Sequence, residues 1–434
     1  MAREFKDSGI EWIGQIPKEW KVSRIKTIFS ERTELSENGD ETLLSVSEYY
    51  GVANRKEKIE DGDFVSRAES LVGYKKCYKG DLVSNIMLAW KGSLGVTDID
   101  GIVSPAYCVY QPSKEVFPHY YHYLFRTSLF TSIFRLYSKG IIDSRLRLYS
   151  PFFFAISTLI PPFSEQQKIA DYLDKVCGEV DEMVALQETM IEELKAYKQS
   201  VIRETITKGL GSNVFMKKSG SLWIGDFPNT WKLTRMGDVG EYKKGPFGSA
   251  ITLDMFVPKG EKTIKVYEQQ NAIKKDWTLG YYYISEDYFN SNLKSFEVLP
   301  NDLIVSCAGT IGEVYQLPQG IERGIINQAL MRMRINDTIH LSYFLYVFDL
   351  ILKGEAERSS NGTAIKNIPP FSVLKKILIP LPPFSEQQEI SSYLDEKCSE
   401  IDSLIALKLA KIEELKEYKK SVIYEYVTGK KEVV

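Results

Sequence analysis

Basic and amide side chains that stand near glycine or aromatic residues are the groups in this sequence best suited to contact a nucleic acid. Lysine and arginine neutralise phosphate, and arginine and asparagine can also pair two hydrogen bonds with a base edge. In the N-terminal half the candidates are Lys75, Lys76, Lys79, Lys91, Lys139, Arg145 and Arg147. In the C-terminal half they are Lys243, Lys244, Lys274, Lys275, Arg323, Asn361 and Lys366. Any single one of these residues is more often an ordinary surface charge. Gly140 and Gly362 mark loops at matching positions of the two halves, so the residues beside them are the stronger candidates for DNA contact.

The residues that an enzyme would need are not evident in the sequence. Only three histidines occur, and His119 and His122 lack an obvious third metal ligand. No phosphate-binding loop of the Gly-x-x-x-x-Gly-Lys-Ser/Thr type is present. Residues 367–371 read Asn-Ile-Pro-Pro-Phe, and Ile368 separates them from the Asn-Pro-Pro-Phe motif of adenine methyltransferases. We therefore predict a chain without catalytic residues, metal ligands or a cofactor of its own.

Composition and charge are those of a globular protein rather than a membrane or secreted one. The five cysteines are scattered and include no Cys-x-x-Cys pair, which is typical of a reducing cytoplasm. No apolar run is long enough to span a bilayer, and the first residues do not form a signal peptide. The net charge is −3, but residues 164–208 and 385–430 carry 20 acidic and 13 basic residues, so the rest sums to +4. This division is compatible with DNA binding by the globular parts.

An internal repeat is the main signal in the sequence. Residues 161–167 and 382–388 both read Pro-Pro-Phe-Ser-Glu-Gln-Gln, and 28 of 49 positions agree between 161–209 and 382–430. A second block repeats Ser-Gly, Trp-Ile-Gly, Pro, Trp-Lys and Arg, between 8–24 and 219–235. Between these blocks the copies agree poorly, although 92–95 resembles 309–312. Similar frames with dissimilar inserts indicate two domains that do the same task on different targets.

Each Pro-Pro pair predicts the start of a long helix. We expect Ser164 and Ser385 as N-caps, with Gln167 and Gln388 completing a capping box. Apolar residues then recur at spacings of four and three, which is typical of a coiled-coil seam. In the first copy the seam is Ile169, Leu173, Val176, Val180, Met183, Met190, Leu194, Tyr197 and Val201. In the second it is Ile390, Leu394, Ile401, Leu404, Leu415, Tyr418 and Val422. Gln187 and Lys408 interrupt the seam, either as a register device or as an exposed helix edge.

Connectivity constrains how these elements are arranged. The second globular segment begins where the first helix ends and finishes where the second helix begins, so paired helices must run antiparallel. The globular segments mix short strands, such as 43–47, 81–88 and 302–307, with helices such as 120–137 and 341–353. We predict an α+β fold with pseudo-twofold symmetry. The domains are 1–160, 210–381 and two spacer helices, 161–209 and 382–434.

At this point the sequence resembles a known family. The opening Asp7-Ser8-Gly9, Trp12-Ile13-Gly14, Ile16-Pro17 and Trp20 is similar to the start of specificity subunits of type I restriction–modification systems. Leu-Pro-Pro-Phe-Ser-Glu-Gln-Gln at 381–388, entering a long helix, is similar as well. The resemblance covers the whole chain in the order domain, helix, domain, helix. One departure is the Phe-Phe-Phe run at 152–154 ahead of the first helix.

The resemblance implies that each globular segment is a target-recognition domain that reads one half of a split double-stranded DNA site. It implies that the helices are a spacer and a docking surface for two methyltransferase subunits, joined by restriction or translocase subunits. S-adenosylmethionine, ATP and magnesium would belong to those partners, in the cytoplasm and away from membranes. The alternatives are a coiled-coil scaffold with protein-binding end domains, or a self-sufficient restriction–methylation enzyme, against which the missing motifs argue.

Overall fold

The computed structural model describes residues 3–57, 70–211, 213–359 and 371–433. The chain divides into two compact units, Met1–Thr189 with Leu407–Val434, and Met190–Ala406. The helices are α1 (Pro118–Leu124), α2 (Ser128–Tyr137), α3 (Ser150–Ala155), α4 (Phe163–Lys208), α5 (Gln269–Lys274), α6 (Glu286–Tyr288), α7 (Leu341–Ser359), α8 (Phe371–Leu374) and α9 (Phe384–Val427). The two long helices, α4 and α9, each contribute a part to both units.

The first unit is built around a four-stranded antiparallel sheet in the order β4-β11-β8-β9. Its strands are β1 (Phe5–Asp7), β2 (Gln15–Pro17), β3 (Lys21–Arg24), β4 (Phe29–Arg32), β5 (Leu44–Ser47), β6 (Gly51–Asn54), β7 (Lys75–Cys77), β8 (Leu82–Asn85), β9 (Leu94–Val96), β10 (Gly101–Val103), β11 (Tyr107–Pro112) and β12 (Ser157–Ile160). The remaining strands pair as β1-β2, β3-β12, β5-β6 and β7-β10. An aromatic core below the sheet includes Trp20, Tyr110 and Phe153, with the last two rings stacked at 4.6 Å.

The second unit repeats this plan in the sheet β16-β23-β20-β21 and adds a second, mixed sheet, β18-β17-β22-β19. The strands of the second unit are β13 (Met216–Lys218), β14 (Asp226–Pro228), β15 (Lys232–Arg235), β16 (Gly240–Lys244), β17 (Thr263–Tyr267), β18 (Tyr283–Ser285), β19 (Glu297–Val298), β20 (Leu303–Ser306), β21 (Val314–Gln316), β22 (Gly324–Ile326), β23 (Leu330–Ile335) and β24 (Leu378–Leu381).

The register of the two main sheets shows which residues of the two units are equivalent. Leu94 lies opposite Ser84 in the first sheet, and Val314 lies opposite Val305 in the second. Gly92 therefore corresponds to Gly312, and the alignment of 92–95 with 309–312 was wrong by three residues.

The predicted class, α+β with two similar globular parts and two long helices that pack together, is confirmed. Within the first unit Tyr172, near the start of α4, contacts Tyr426, near the end of α9, with ring centroids 4.5 Å apart. Within the second unit Lys198, in the last third of α4, bonds to Asp402, in the first half of α9. In both units the helices therefore run antiparallel. The segment predicted as one helix at 120–137 is two, because Thr127 caps a new helix, α2, with its side chain accepting from Phe130 N.

The start of each long helix differs from the predicted capping box. Helix α4 begins at Phe163, so Ser164 lies inside the first turn, and the backbone N–H groups of Glu165 and Gln166 bond to Pro162 O. The buried glutamine is Gln166, not Gln167. Its side chain accepts from Phe117 N at 2.8 Å and donates to the carbonyls of Glu115 and Pro161.

The same arrangement is repeated at the start of α9. Gln387 accepts from His340 N at 2.7 Å and donates to the carbonyls of Thr338 and Pro382. Each glutamine thus joins a loop, the Pro-Pro turn and a long helix at one buried point.

The seam of the helices is also displaced from the predicted one beyond its first turns. Met183, Met190, Tyr197, Leu404 and Tyr418 are exposed, so their assignment to the seam was wrong. The buried or half-buried positions along one face of α4 include Ile169, Leu173, Cys177, Val180, Val184, Gln187, Ile191, Leu194, Lys198 and Ile202. The equivalent positions on α9 are Ile390, Leu394, Cys398, Ile401, Ile405, Lys408, Ile412, Leu415, Lys419 and Ile423. The repeat therefore uses the same helix face twice, lysines included.

Candidate nucleic-acid interface

A loop of the first unit, residues 139–147, carries three of the predicted basic residues and is closed at its base. Lys139 and Arg147 bond to each other twice through their backbones, with both N···O distances at 2.9 Å. Gly140 has φ +154°, and a Cβ at this position would lie 2.5 Å from the carbonyl oxygen of Arg145. Only glycine allows this close approach. The loop therefore follows one compact path and leaves Lys139 and Arg145 exposed.

Arg135 of α2 joins this loop to the turn at Trp90. Its guanidinium lies 2.7 Å from Asp143 Oδ1 and 4.8 Å from the centroid of the Trp90 ring. Lys91 Nζ lies 5.2 Å from the same ring. Cations are attracted to the face of an indole, so Trp90 holds two of them in place. Lys91 and loop 139–147 thus belong to one surface.

A half-buried arginine extends this surface to the tip of the β5-β6 hairpin. Arg126 donates to the carbonyls of Gly92 and Leu94 at 3.0 and 2.9 Å, and to those of Ser47, Glu48 and Tyr49 at 2.8 to 3.2 Å. Burial lowers the pKa of this guanidinium below its ordinary value. The hairpin tip is thereby fixed beside Lys91, and the Tyr49 side chain there is 84% exposed.

The other three predicted residues of the first unit bond to other groups. Lys75 Nζ donates to the Tyr107 carbonyl at 2.6 Å. Lys76 Nζ lies 3.2 Å from Glu34 and 3.8 Å from Glu41, and the hydrogen bond with Glu34 raises the pKa of Lys76. Lys79 is exposed. Its backbone N–H donates to Asp100 Oδ1 at 2.8 Å. None of these contacts connects the three lysines to the surface formed by Lys91 and loop 139–147.

The predicted residues of the second unit are spread over several elements. Lys243 Nζ lies over the Phe296 ring at 4.7 Å, and its neighbour Lys244 is exposed. Arg323 lies 2.9 Å from Glu286 and 2.8 Å from Glu297, and the hydrogen bond with Glu297 raises its pKa. Lys274 and Lys275 are exposed at the end of α5. Asn361 and Lys366 lie outside the described residues.

Both repeated regions match one protein family, described as the type I restriction modification DNA specificity domain, over residues 17–196 and 228–417. The chain belongs to this family. The type I restriction enzyme MjaVIII specificity subunit of Methanocaldococcus jannaschii is 24% identical over 439 residues, covering 96% of this chain and 94% of that protein. The EcoBI specificity subunit of Escherichia coli is 24% identical over 261 residues, covering 56% of this chain and 52% of that protein.

Solved structures share the fold of this specificity-domain pair. A chain from a study of complex assembly and conformational transition in the type I R-M system aligns with a TM-score of 0.70 and 16% identity, covering 95% of this chain and 98% of that one. The HsdS subunit from Thermoanaerobacter tengcongensis aligns with a TM-score of 0.56 and 18% identity, with the same coverage. The fold predicted from the repeat is thus found in these solved chains as well.

Several exposed apolar groups of the specificity domains were missed by reasoning from charge. In the second unit an open cavity of about 490 Å³ is lined by apolar side chains together with Glu268, Asn327 and Gln328. Phe256 and Tyr282 of this lining stack at 4.3 Å. In the first unit Tyr49 and Ile141 are exposed at loop tips. The sequence feature that could have located these groups is the presence of large apolar residues inside turns rich in glycine, serine and proline.

The histidines lie apart from any group of possible metal ligands in the part of the chain that the structure describes. His122 is half-buried and packs against Gly51 and Gly95, and its Nδ1 accepts from Val96 N at 3.3 Å. Burial, with nearby Arg126, lowers the pKa of His122 to about 3. Over 3–57, 70–211, 213–359 and 371–433, no cluster of three or more His, Cys, Asp or Glu residues could hold a metal ion. Among the helices in these same ranges, none combines the length and apolar character needed to cross a bilayer.

Proposed function

We propose that this chain is the DNA-reading subunit of a type I restriction–modification complex, with one half-site read by each unit. The observation that carries the proposal is the repetition of one sheet plan, β4-β11-β8-β9 and β16-β23-β20-β21, with different loops on the two copies. A repeated frame supports a repeated task, and divergent loops support different half-site sequences. Membership of the specificity-domain family supports the same conclusion.

The DNA contacts proposed for the first unit come from Lys91, Lys139, Arg145 and Arg147, which surround one continuous surface. Those proposed for the second unit come from Lys243, Lys244, Lys274 and Lys275. Lys76 and Arg323 each face two carboxylates. Their charge is largely compensated, so we expect them to contribute less to phosphate binding. Lys75, Lys79, Asn361 and Lys366 remain candidates without further support.

We further propose that the long helices dock two methyltransferase subunits. Exposed apolar residues recur at equivalent positions of the two helices, which supports two similar docking surfaces. The pairs are Met183 with Leu404, Leu186 with Leu407, and Tyr197 with Tyr418. The chain itself would be non-catalytic. S-adenosylmethionine would bind to the methyltransferase subunits, and ATP and magnesium to the restriction subunits.

Selection of duplexes from a random pool, by the full chain with its methyltransferase, tests the proposal. We expect a bipartite consensus with a gap of fixed length. Exchanging residues 26–150 for those of a related chain should change one half of the consensus and leave the other intact. Light scattering of the complex should give two methyltransferase subunits per chain. Absence of any enriched sequence, with protein partners still bound, would instead favour a coiled-coil scaffold with protein-binding end domains.

A further inference from the structure

The tip of loop 139–147 is apolar, although its flanks are charged. Ile141 is 97% exposed and Ile142 is 54% exposed, whereas Leu146 and Leu148, a few residues later, are buried. Burying an isoleucine side chain stabilises a protein by about 1.5–3 kcal/mol, and here the fold leaves two adjacent ones in water. Isolated exposed apolar residues are ordinary, but a pair at a loop tip indicates a contact surface.

The loop holds this tip in one conformation. Two bonds close the loop between Lys139 and Arg147, and Gly140 passes tightly over Arg145, as described above. Within the tip Arg145 N donates to Ile142 O at 2.8 Å, and Leu146 N donates to Asp143 O at 3.2 Å. Asp143 is also bound by Arg135. A partner would therefore meet a preformed tip, and less conformational entropy would be lost on binding.

The charges around the tip identify the partner. Lys139, Arg145 and Arg147 flank the two isoleucines on one loop, and Lys91 adjoins through Trp90 and Arg135. The single acidic side chain of the loop, Asp143, faces Arg135. An apolar centre between cations fits a DNA groove, where phosphates lie on both sides and apolar groups lie between them. In the major groove the apolar group is the C5 methyl of thymine.

We propose that Ile141 and Ile142 contact thymine methyl groups in the half-site read by the first unit, while the flanking cations contact phosphate. This inference rests on the proposed function, and it adds the residues that supply sequence discrimination as distinct from general affinity. Removal of one buried methyl contact corresponds to about a fourfold change in affinity.

The test uses the full chain with its methyltransferase and the selected duplex. Each thymine of the first half-site is replaced in turn by uracil, which lacks only the methyl group. For the unchanged chain we expect a loss of about fourfold at one or two positions. Ile141→Ser and Ile142→Ser should show the loss on normal DNA and no further loss at those positions with uracil. The dependence of affinity on salt should stay unchanged, whereas Arg145→Ala should reduce the salt slope by about one.

Leu222→Ser is the matched control, because Leu222 is 100% exposed but lies in the second unit. Its binding to first-half-site duplexes, with thymine or uracil, should equal that of the unchanged chain. The inference is overturned if the first half-site contains no thymine, if uracil has no effect, or if the isoleucine variants remain equally sensitive to uracil. Each of these results leaves a bipartite consensus standing, whereas failure of the proposed function would show as no consensus at all.

Discussion

Lys408 Nζ donates a hydrogen bond to Gln187 Oε1 at 3.2 Å, and these two residues are equivalents in the repeat, 221 positions apart. In an antiparallel pair of equivalent helices, a residue meets its own equivalent only at the midpoint of the pairing. Both residues are half-buried and lie between the helices, not on an exposed helix edge. Their role in setting the register stays a prediction. The flanking ion pairs, Lys419 with Asp181 and Lys198 with Asp402, are likewise one contact made twice.

We expect these flanking ion pairs to stabilise the helix pairing weakly and in a salt-dependent way. Asp181→Asn should lower the free energy of unfolding by at most about 1 kcal/mol, because the aspartates are largely exposed while the lysine stems are covered. A double-mutant cycle with Lys419→Met, measured by urea unfolding, gives the coupling energy. It should shrink in 1 M salt. A coupling of zero at low salt would show that the pair makes no contribution.

Replacing the buried glutamines should be far more damaging than replacing their neighbours. Gln166→Ala and Gln387→Ala each remove three hydrogen bonds and leave backbone groups unpaired, at a cost of about 1–3 kcal/mol per group. Gln167→Ala and Gln388→Ala are the matched controls, because these side chains are exposed. Chemical denaturation of the four variants measures the difference. Equal losses in both sets would restore the capping-box interpretation.

Two tryptophans of the second unit differ in whether the indole N–H group has a hydrogen-bond partner among the described residues. Trp231 Nε1 donates to Glu386 Oε2 at 2.9 Å, whereas the buried Trp223 Nε1 has no hydrogen-bond partner among the described residues. Trp231→Phe should lower the free energy of unfolding by about 1–3 kcal/mol beyond its packing loss, since a carboxylate loses its donor. Trp223→Phe should lose packing only. Unfolding curves in which Trp223→Phe is the more damaging variant would contradict this.

Acid should destabilise the first unit through His122. Burial and the positive charge of Arg126 lower its pKa to about 3 in the folded state, against about 6.5 when unfolded. Between these values the unfolded chain binds the proton more readily, so stability falls as pH decreases below about 6.5, by at most about 1.4 kcal/mol per pH unit. Above pH 6.5 this group adds no pH dependence. His122→Asn should flatten this part of the stability curve, and an unchanged slope would exclude His122 as its source.

The long helices and the repeat could be predicted because their signals are local. The proline pairs and the helical period can each be recognised within a short stretch of sequence. The same holds for the runs of valine, isoleucine and leucine that form β5, β8 and β20. The face of each helix could not be chosen correctly from period alone. Met183 and Tyr197 are apolar, as Val184 is, and only packing against the opposite helix decides which of the three is covered. Lys198 enters the seam because its stem covers apolar surface while its amine reaches Asp402.

The proposed nucleic-acid surface was harder to predict for a related reason. The partners of Lys76 and Arg323 are carboxylates of Glu34, Glu286 and Glu297, which lie 26 or more residues away in sequence. A list of basic residues cannot separate compensated charges from available ones. The cluster on loop 139–147 was partly predicted, because Gly140 marks a turn. The exposed apolar tip of the loop was not predicted, because two adjacent isoleucines are usually buried in a hydrophobic core.

The first unit contains residues from both ends of the chain, which has a consequence for synthesis on the ribosome. Tyr120 donates its buried hydroxyl to the carbonyl of Val427, and Gly429 packs against Pro17 and Trp20. These contacts wait until residues 407–434 have been translated, whereas the second unit, 190–406, is by then already complete in sequence. The unit whose synthesis begins first therefore receives its last core residues last, and a nascent chain stalled before 407 lacks the residues that contact Tyr120, Pro17 and Trp20.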